Sequence, residues 1–443
     1  MSVLYDSPHQ LEPYVLSDLG DLEPLTLDLI KADEFLRGKL HPLTQLAVAE
    51  LVRDMNCYYS NLIEGHRTLP IDIEKAKHHD FSADKTNSDL QKLAAAHLDA
   101  ETLLQSWVQE GRVPYTADFI RDAHLTFCNG LPSDMLAFQH AKGSPKAGQT
   151  HRLVPGQWRD RDVTVSAHLP PASASIPAFM GRFEETQKSR GSNMLQLANA
   201  IAGHHRLTWI HPFGDGNGRI SRLVTDAQLK HLGINASGLW SWSRGLAKNQ
   251  ARYMQALAEA DNHRAGDLDG RGNLSLRSLR NFVRVGLEIA IDQAKFMAEM
   301  LQLENFKARV TNHFVRERPD VEPAAARIIV NAVALGEIKR GEAKDSTGFS
   351  PRKAQDLIRQ LLDEGYLSSD SPKGALRAAF PIKAMGAFFP NLFPSGSVET
   401  NAQTAMDYVA GVNATYAKTQ RPSDLLQDGL ARKLLILFIF CIS

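Results

Sequence analysis

The sequence has no excess of charge: 50 lysines and arginines balance 50 aspartates and glutamates over 443 residues. No overall electric field therefore points to nucleic acid or a membrane surface, and any basic binding surface has to be local. Cysteine is scarce as well, since Cys57, Cys128 and Cys441 lie far apart and form no metal-type spacing. That usage suits a reducing compartment and argues against a disulfide framework.

Segments typical of secreted or membrane-spanning proteins are also missing. The N-terminus has neither the basic start nor the apolar core of a signal peptide. A terminal apolar run, residues 434–442, is shorter than the about 20 residues that a membrane-spanning helix needs. A buried helix or strand is the favoured interpretation of this run, with a peripheral anchor or a non-native tail as alternatives. We expect a cytoplasmic protein with no membrane partner.

What the sequence does contain is helical periodicity. Hydrophobic residues make up 43% of the chain, which suits a globular protein of about two or three domains. After about 30 N-terminal residues that are expected to be extended, apolar residues recur at helical spacing up to Gly65 and again over 89–109. Thr116 is placed to cap a further helix.

One region departs from this helical pattern. Within residues 151–171, Val163 and Val165 alternate with Thr164 and Ser166, and proline and glycine mark turns on both sides. Such alternation is typical of a β-strand, so the sequence predicts a short hairpin here in a mainly α protein.

The stretch WIHPFGDGNGRISR, residues 209–222, joins two predicted helices and has the composition of a binding site. Its glycines let backbone N–H groups converge at a helix N-terminus, which favours an anion such as phosphate. Arg219 and Arg222 lie three residues apart on that helix and suit a polyphosphate better than a single carboxylate. Asp215 could then hold a divalent metal that bridges phosphates, and His211 could accept a proton near neutral pH.

Two other interpretations of this stretch are disfavoured. His211 is not expected to be an ordinary core histidine, because Pro212 biases the backbone out of the helix. A zinc site is the second alternative, but two adjacent arginines would repel a bare dication and no HExxH pattern is present. The candidate zinc ligands are His204, His205, His211 and Asp215.

The run HPFGDGNGR, residues 211–219, matches at every fixed position the signature of the Fic family, His-Pro-Phe-any-Asp/Glu-Gly-Asn-Gly/Lys-Arg. Arg222 matches the second arginine of that family. The chain therefore resembles a Fic/DOC protein over residues 40–390, most strongly over 115–260. The resemblance implies a mainly α fold: a Fic helical core with a small β-hairpin flap, plus a C-terminal winged helix-turn-helix domain.

The resemblance also implies an activity, the transfer of AMP from ATP to a Ser, Thr or Tyr hydroxyl of a target protein. His211 would take the proton of that hydroxyl, Asp215 would hold Mg²⁺, and Phe213 would point into the core. The residues that the resemblance assigns to nucleotide binding are Gly216, Asn217, Gly218, Arg219, Arg222, Asn249 and Tyr253. Tyr253 could equally be a core residue. Val163, Thr164 and Val165 would form a target-binding flap, with a plain connecting hairpin as the alternative.

An upstream segment, SNLIEG, matches the family's inhibitory pattern Ser/Thr-x-x-x-Glu-Gly/Asn with Ser60, Glu64 and Gly65. Ser60 and Glu64 are four apart and share one face of a helix. The resemblance implies that Glu64 pairs with Arg219 and blocks the position of the γ-phosphate, whereas the pattern alone would indicate only a solvated helix face.

Near the C-terminus, the helix predicted from Pro351 to Gly365 has Ser350 as its N-cap and a regular apolar stripe. With its flanks it resembles a winged helix, for which a structural or protein-contact role is favoured over DNA binding. The predicted division of the chain is 1–110, a helical region with the inhibitory helix; 111–265, the Fic core; 266–315, a helical connector; 316–395, the winged-helix-like domain; and 396–443, a tail.

Three functions stay open at this point. The favoured one is an Mg²⁺- and ATP-dependent protein adenylyltransferase that is held inactive by Glu64. The same site could instead remove AMP from a modified protein, or the chain could be a nucleotide-sensing regulator that acts through the winged helix. A homodimer is also possible.

Overall fold

The structure is a computed structural model of the chain and describes residues 5–139, 150–165, 168–188 and 191–394. The predicted tail, residues 396–443, lies outside these ranges together with its apolar run, and so does Ser166. Within the described ranges, no helix combines the length and the apolar character that crossing a bilayer requires.

Helices form most of the described chain, which confirms the mainly α prediction. Short 3₁₀ segments, Pro8–Leu11 and Gly20–Leu22, precede the first α-helix, and a π-helical turn, His313–Glu317, follows the twelfth. The α-helices are α1 (Glu23–Gly38), α2 (Pro42–Ile63), α3 (Pro70–Lys77), α4 (Lys85–Gln109), α5 (Ala117–Asn129), α6 (Ile176–Gln187), α7 (Asn193–Ile210), α8 (Asn217–His231), α9 (Trp242–Lys248), α10 (Gln250–Glu259), α11 (Leu276–Met300), α12 (Leu303–Asn312), α13 (Ala324–Leu335), α14 (Arg340–Thr347), α15 (Pro351–Asp363) and α16 (Met385–Phe388).

Local signals set several of these boundaries. The Thr116 hydroxyl accepts a hydrogen bond from the backbone N–H of Phe119 at 3.3 Å and so caps α5 as predicted. Gly65 and Gly233 follow α2 and α8 with a φ of 81° each, a left-handed conformation in which glycine ends a helix without strain. The expectation of an extended N-terminus up to residue 30 is wrong, because α1 begins at Glu23 with Pro24 in its first turn, a position where proline loses no helical hydrogen bond.

In the described part of the chain, the strands form two small antiparallel pairs, β1 (Ala137–Gln139) with β2 (Thr150–Arg152), and β3 (Leu367–Ser368) with β4 (Arg377–Ala378). The hairpin predicted around residues 163–166 is therefore misplaced. Val163 and Thr164 belong to no strand, and Val165 forms only an isolated bridge with His168. The backbone N–H and carbonyl of Val165 both bond His168, so the predicted alternation yields one antiparallel residue pair and no longer ladder.

Among the described residues, two apolar clusters form the core, and both contain parts of α7 and α8. The first half of α7 contributes Leu197 and Ile201 to a cluster shared with α1, α2, α11 and α13. Its last turn contributes Trp209 and Ile210 to a second cluster shared with α4, α5 and α6. Since α7 packs against α1, α6, α8 and α11, its C-terminal end is held from several sides. The loop that leaves α7 therefore starts from a fixed position.

A C-terminal module follows α12. Helices α13, α14 and α15 lead into β3 and β4, and Ile338 bridges Leu376. Helix α15 buries the predicted stripe, and the Thr44 hydroxyl of α2 donates a hydrogen bond to the carbonyl of Val333 in α13 at 2.7 Å. Three helices followed by a hairpin is the order that a winged helix requires, and the winged-helix interpretation stays a prediction. The stripe comprises Ala354, Leu357, Ile358 and Leu361.

Candidate active site

The predicted loop lies between the end of α7 and the start of α8. His211 ends α7 in a left-handed conformation, with φ 51° and ψ 59°, which is uncommon for a residue with a side chain. Phe213 is fully buried, as predicted, and its ring stacks on the imidazole of His124 with 3.8 Å between centroids. Gly216 caps α8 with a φ of 78°, where the lack of a side chain permits the turn.

Asn217 closes the loop with its side chain. Its amide oxygen accepts a hydrogen bond from the N–H of Phe213, and its amide nitrogen donates one to the carbonyl of Phe213, both at 2.9 Å. The side chain is only 3% exposed. Asn217 thus supports the loop through its side chain, while its backbone N–H stays among the first donors of α8, which have no partner within the helix.

His124 supports the same loop, a role that sequence reasoning missed. Its Nδ1 accepts a hydrogen bond from the backbone N–H of Gly156 at 2.9 Å, so the ring proton has to be on Nε2. Nε2 then donates to the carbonyl of Asp215 at 3.3 Å. Burial lowers the pKa of His124 to about 4, which keeps the ring neutral and this bonding pattern intact at neutral pH.

The environment of His211 keeps its imidazole unprotonated. Burial, with the nearby charges of His168 and Arg159, lowers the pKa of His211 to about 3. A neutral imidazole is the form that can accept a proton. An anion bound beside the ring would raise this pKa towards the range in which a general base works best.

Glu64, the predicted inhibitory residue, lies against the start of α8. Its Oε1 accepts a hydrogen bond from Arg222 Nη2 at 2.7 Å, and Arg222 also donates to the hydroxyl of Ser60 at 2.9 Å. The expected pairing of Glu64 with Arg219 is therefore wrong. The contact between α2 and α8 places the second arginine, one turn further along, against the face that carries Ser60 and Glu64.

The carboxylate of Glu64 fills the space over Gly218. A side-chain carbon on Gly218 would overlap Glu64 Oε1, so only glycine allows this approach. Burial raises the pKa of Glu64, but the charges of Arg222 and Arg219 outweigh burial and leave the pKa below its ordinary value. An anionic group of the chain itself therefore occupies a helix N-terminus flanked by two arginines.

Arg219 itself is left with unused bonding capacity. Its side chain is 6% exposed, and its Nε has no hydrogen-bond partner among the described residues. Burial lowers the pKa of Arg219, and the negative charges of Glu64 and Asp215 act against that decrease. A buried guanidinium with a free donor is able to bind an incoming anion.

Asp215 is exposed at the tip of the loop, and its carboxylate makes no hydrogen bond to the described part of the chain. Within that part, no group of three or more potential ligands could hold a metal ion. The candidate zinc ligands are separated: His204 bonds Tyr253 and Thr225, and His205 bonds Asp261. A single free carboxylate suits Mg²⁺, which takes its other ligands from phosphates and water.

Two residues that the resemblance assigns to nucleotide binding, Asn249 and Tyr253, lie outside the loop. Asn249 lies at the junction of α9 and α10, and its side-chain amide donates to the carbonyl of Gly245 at 3.0 Å. Tyr253 is a buried residue whose hydroxyl bonds His204 Nε2 at 2.8 Å, and burial raises its pKa to about 12. Tyr253 is thus part of the core, as the alternative interpretation expects, and its contact with a nucleotide stays a prediction.

The helical fold, the glycine-rich loop and the two arginines together form a candidate anion-binding site at a helix N-terminus, with a histidine beside it. The model of the Fic/DOC family matches residues 131–229, which include the whole loop. Residues 131–229 are therefore similar in sequence to the Fic/DOC family.

Curated relatives match the chain over a short segment. The protein adenylyltransferase Fic of Nematostella vectensis is 38% identical over 88 residues, which are 20% of this chain and 21% of the relative. The protein of the same name from Drosophila mojavensis is 39% identical over 87 residues, 19% of this chain and 17% of the relative. The matched segment thus spans about a fifth of the length of these relatives.

Solved structures of Fic proteins are also similar to this chain. A Fic domain containing signaling protein from Bacteroides thetaiotaomicron is 17% identical, with a TM-score of 0.46, and the match covers 61% of this chain and 96% of that one. Fic-1 from C. elegans is 13% identical, with a TM-score of 0.48, over 64% of this chain and 74% of that one.

Proposed function

We propose that the protein is an adenylyltransferase that transfers AMP from ATP to a Ser, Thr or Tyr hydroxyl of a target protein. The observation that carries this proposal is the position of Glu64, a carboxylate held over Gly218 by Arg222. A site that binds an internal anion at a helix N-terminus, with a second arginine still free to donate, is built to bind a polyphosphate.

In the proposed reaction, the oxygen of the target hydroxyl attacks the α-phosphorus of ATP. The bond from the α-phosphorus to the bridging oxygen breaks, pyrophosphate leaves, and His211 accepts the hydroxyl proton on its neutral imidazole. The N–H groups of the cap residue Gly216 and of Asn217 and Gly218, the first two residues of α8, bind phosphate oxygens. This division of roles follows the rule that positioning and charge stabilisation supply most of the catalysis in such transfers.

Asp215 would hold Mg²⁺ in this proposal, and its free, exposed carboxylate fits that ion. The metal supplies neutralisation of charge on the phosphates when it is bound. Arg219 and Arg222 hold the outer phosphates, which requires Arg222 to give up its bond to Glu64. Inhibition by Glu64 is therefore a competition between its carboxylate and a phosphate of ATP for the guanidinium of Arg222.

The remaining features of the proposal stay predictions. Residues 163–165 would bind a segment of the target, the C-terminal module would have a structural or protein-contact role, and the protein would act in the cytoplasm. On the exposed side of α15, Arg359 pairs with Asp356 at 3.0 Å. This pairing reduces the positive charge that DNA binding would need.

The decisive experiment is self-labelling with ATP that carries ³²P at the α-phosphate. The wild type should take up little label, Glu64→Gly much more, and Glu64→Gly with His211→Ala none. Glu50→Gly is the control, because it makes the same substitution at an exposed position of α2, the helix that Glu64 caps at its C-terminus, and Glu50 has no bond to Arg222. We expect it to label like the wild type.

Two outcomes would favour the other functions. Release of AMP from a modified protein without labelling by ATP would indicate the AMP-removing hydrolase. ATP binding without labelling or AMP release in any variant would indicate a nucleotide-sensing regulator.

A further inference from the structure

The two residues that begin the loop have their carbonyl groups bonded to a single arginine. Arg159 donates from its side-chain Nε to the carbonyl of His211 and from its backbone N–H to the carbonyl of Pro212, both at 2.9 Å. His211 is the residue with the left-handed backbone, a conformation that persists only where the surroundings fix it. The contact with Arg159 is thus made at the point of backbone strain.

The other side-chain donors of Arg159 bind the segment that carries the predicted flap. Nη1 donates to the carbonyl of Arg161 at 2.8 Å, and Nη2 donates to the carbonyl of Pro171 at 2.5 Å. One side chain therefore connects the backbone carbonyls of Arg161 and Pro171 to the backbone carbonyl of His211. The planar guanidinium can do this because it presents several donors in a fixed geometry.

Burial of the charged Arg159 side chain has a high desolvation cost, which a purely structural role does not explain. Its side chain is 5% exposed, and every acceptor named above is a backbone carbonyl, not a carboxylate. Burial lowers its pKa to about 10, with the charge of Asp162 acting in the other direction. A neutral side chain could fill this space at a lower desolvation cost, so the position of the donors is what distinguishes arginine here.

We infer that Arg159 is a positioning residue for His211. It fixes the carbonyl, and through it the direction of the Cα–Cβ bond that aims the imidazole. By the same contacts it fixes the distance between the imidazole and a target segment bound at the predicted flap, residues 163–165. The inference rests on the proposed function, in which His211 takes the proton of the target hydroxyl.

The kinetic test uses Arg159→Met and Arg159→Lys in the Glu64→Gly background. Both should lower kcat by about 100-fold, since a misplacement of about 1 Å has an effect of that size. The Kd for ATP should stay within about twofold, because Arg159 contacts none of the residues proposed to bind phosphates. Lysine does not rescue kcat, because an ammonium on a flexible stem cannot bind three carbonyls in this arrangement.

The dependence of kcat on pH separates position from charge. The positive charge of Arg159 is one of the causes that lower the pKa of His211. Arg159→Met should therefore move the acidic limb of the profile to higher pH, whereas Arg159→Lys should leave the limb in place and still lose kcat. Arg309→Met is the matched control, because this half-buried arginine of α12 binds the carbonyl of Phe388 at 2.8 Å and makes no hydrogen bond to the loop; kcat should be unchanged in this variant.

Thermal melting first establishes that each variant is folded, and Arg159→Lys replaces Arg159→Met if the latter is not. A folded variant with unchanged kcat overturns the inference. If the Glu64→Gly parent takes no label, the proposed function fails. A crystal structure of the Arg159 variant then tests the positioning of His211 independently of activity. His211 leaving the left-handed conformation supports the inference, and an unmoved His211 overturns it.

Discussion

The substitution Asn217→Ala tests whether one side chain holds the loop closed. It removes two hydrogen bonds of 2.9 Å to the backbone of Phe213. Each bond contributes about 0.5–1.5 kcal/mol, and a buried group left without a partner costs about 1–3 kcal/mol. Because Asn217 and Phe213 are both buried, water cannot easily replace the lost partners. We expect the free energy of unfolding to fall by about 2–4 kcal/mol.

The assay is urea denaturation of the wild type and the variant, followed by amide hydrogen exchange at Phe213, which should become faster. Asn281→Ala is the control, since this exposed amide makes one bond of 3.3 Å to Glu259 and should cost at most about 0.5 kcal/mol. A loss below about 1 kcal/mol for Asn217→Ala, with unchanged exchange at Phe213, would refute the reasoning.

Two further predictions concern Glu64. Gly218→Ala should destabilise the wild type, because the added carbon meets the Glu64 carboxylate. In the Glu64→Gly background the same substitution should be neutral or stabilising, since alanine is the better helix former by about 1 kcal/mol. A double-mutant cycle in urea measures the coupling between the two positions, and additive effects would contradict the contact. The pKa of Glu64 is lowered in the folded protein. The pair of Glu64 with Arg222 therefore stabilises the fold fully above the ordinary glutamate pKa, and this stability is lost as the pH falls through the lower, folded-state pKa. The ATP affinity of the wild type, measured by calorimetry, should therefore not rise through protonation of Glu64 between about pH 8 and 6. A steep rise of affinity in that range that is absent from Glu64→Gly would count against the pairing of Glu64 with Arg222.

Much of the fold follows from local patterns that the sequence displays. The stripe of α15, the cap at Thr116 and the stop at Gly65 depend on residues within one or two turns of each other, so the sequence predicts them correctly. The extended N-terminus and the hairpin at 163–166 are wrong for a related reason. Both depend on what the segment packs against or pairs with, and a short polar or proline-containing stretch carries little information about that.

In the candidate site, too, the sequence predicts some features and not others. The position of the loop between two helices, the buried Phe213 and the approach of Ser60 and Glu64 to the loop agree with the sequence prediction. The pairing of Glu64 with Arg222 differs from the sequence prediction, which named Arg219. Both arginines lie on one helix and differ only in which side of it faces α2.

The sequence by itself determined the helical class and the chemistry of the loop, since glycines, a capping position, two arginines and a histidine act through neighbouring residues. Only the tertiary structure decided which residues hold that chemistry in place. His124 and Arg159 act on backbone carbonyls of the loop from distant parts of the chain. Every residue has a carbonyl group, so no residue type in the loop marks these contacts, and only the packing of α5 and of the segment after β2 against the loop creates them.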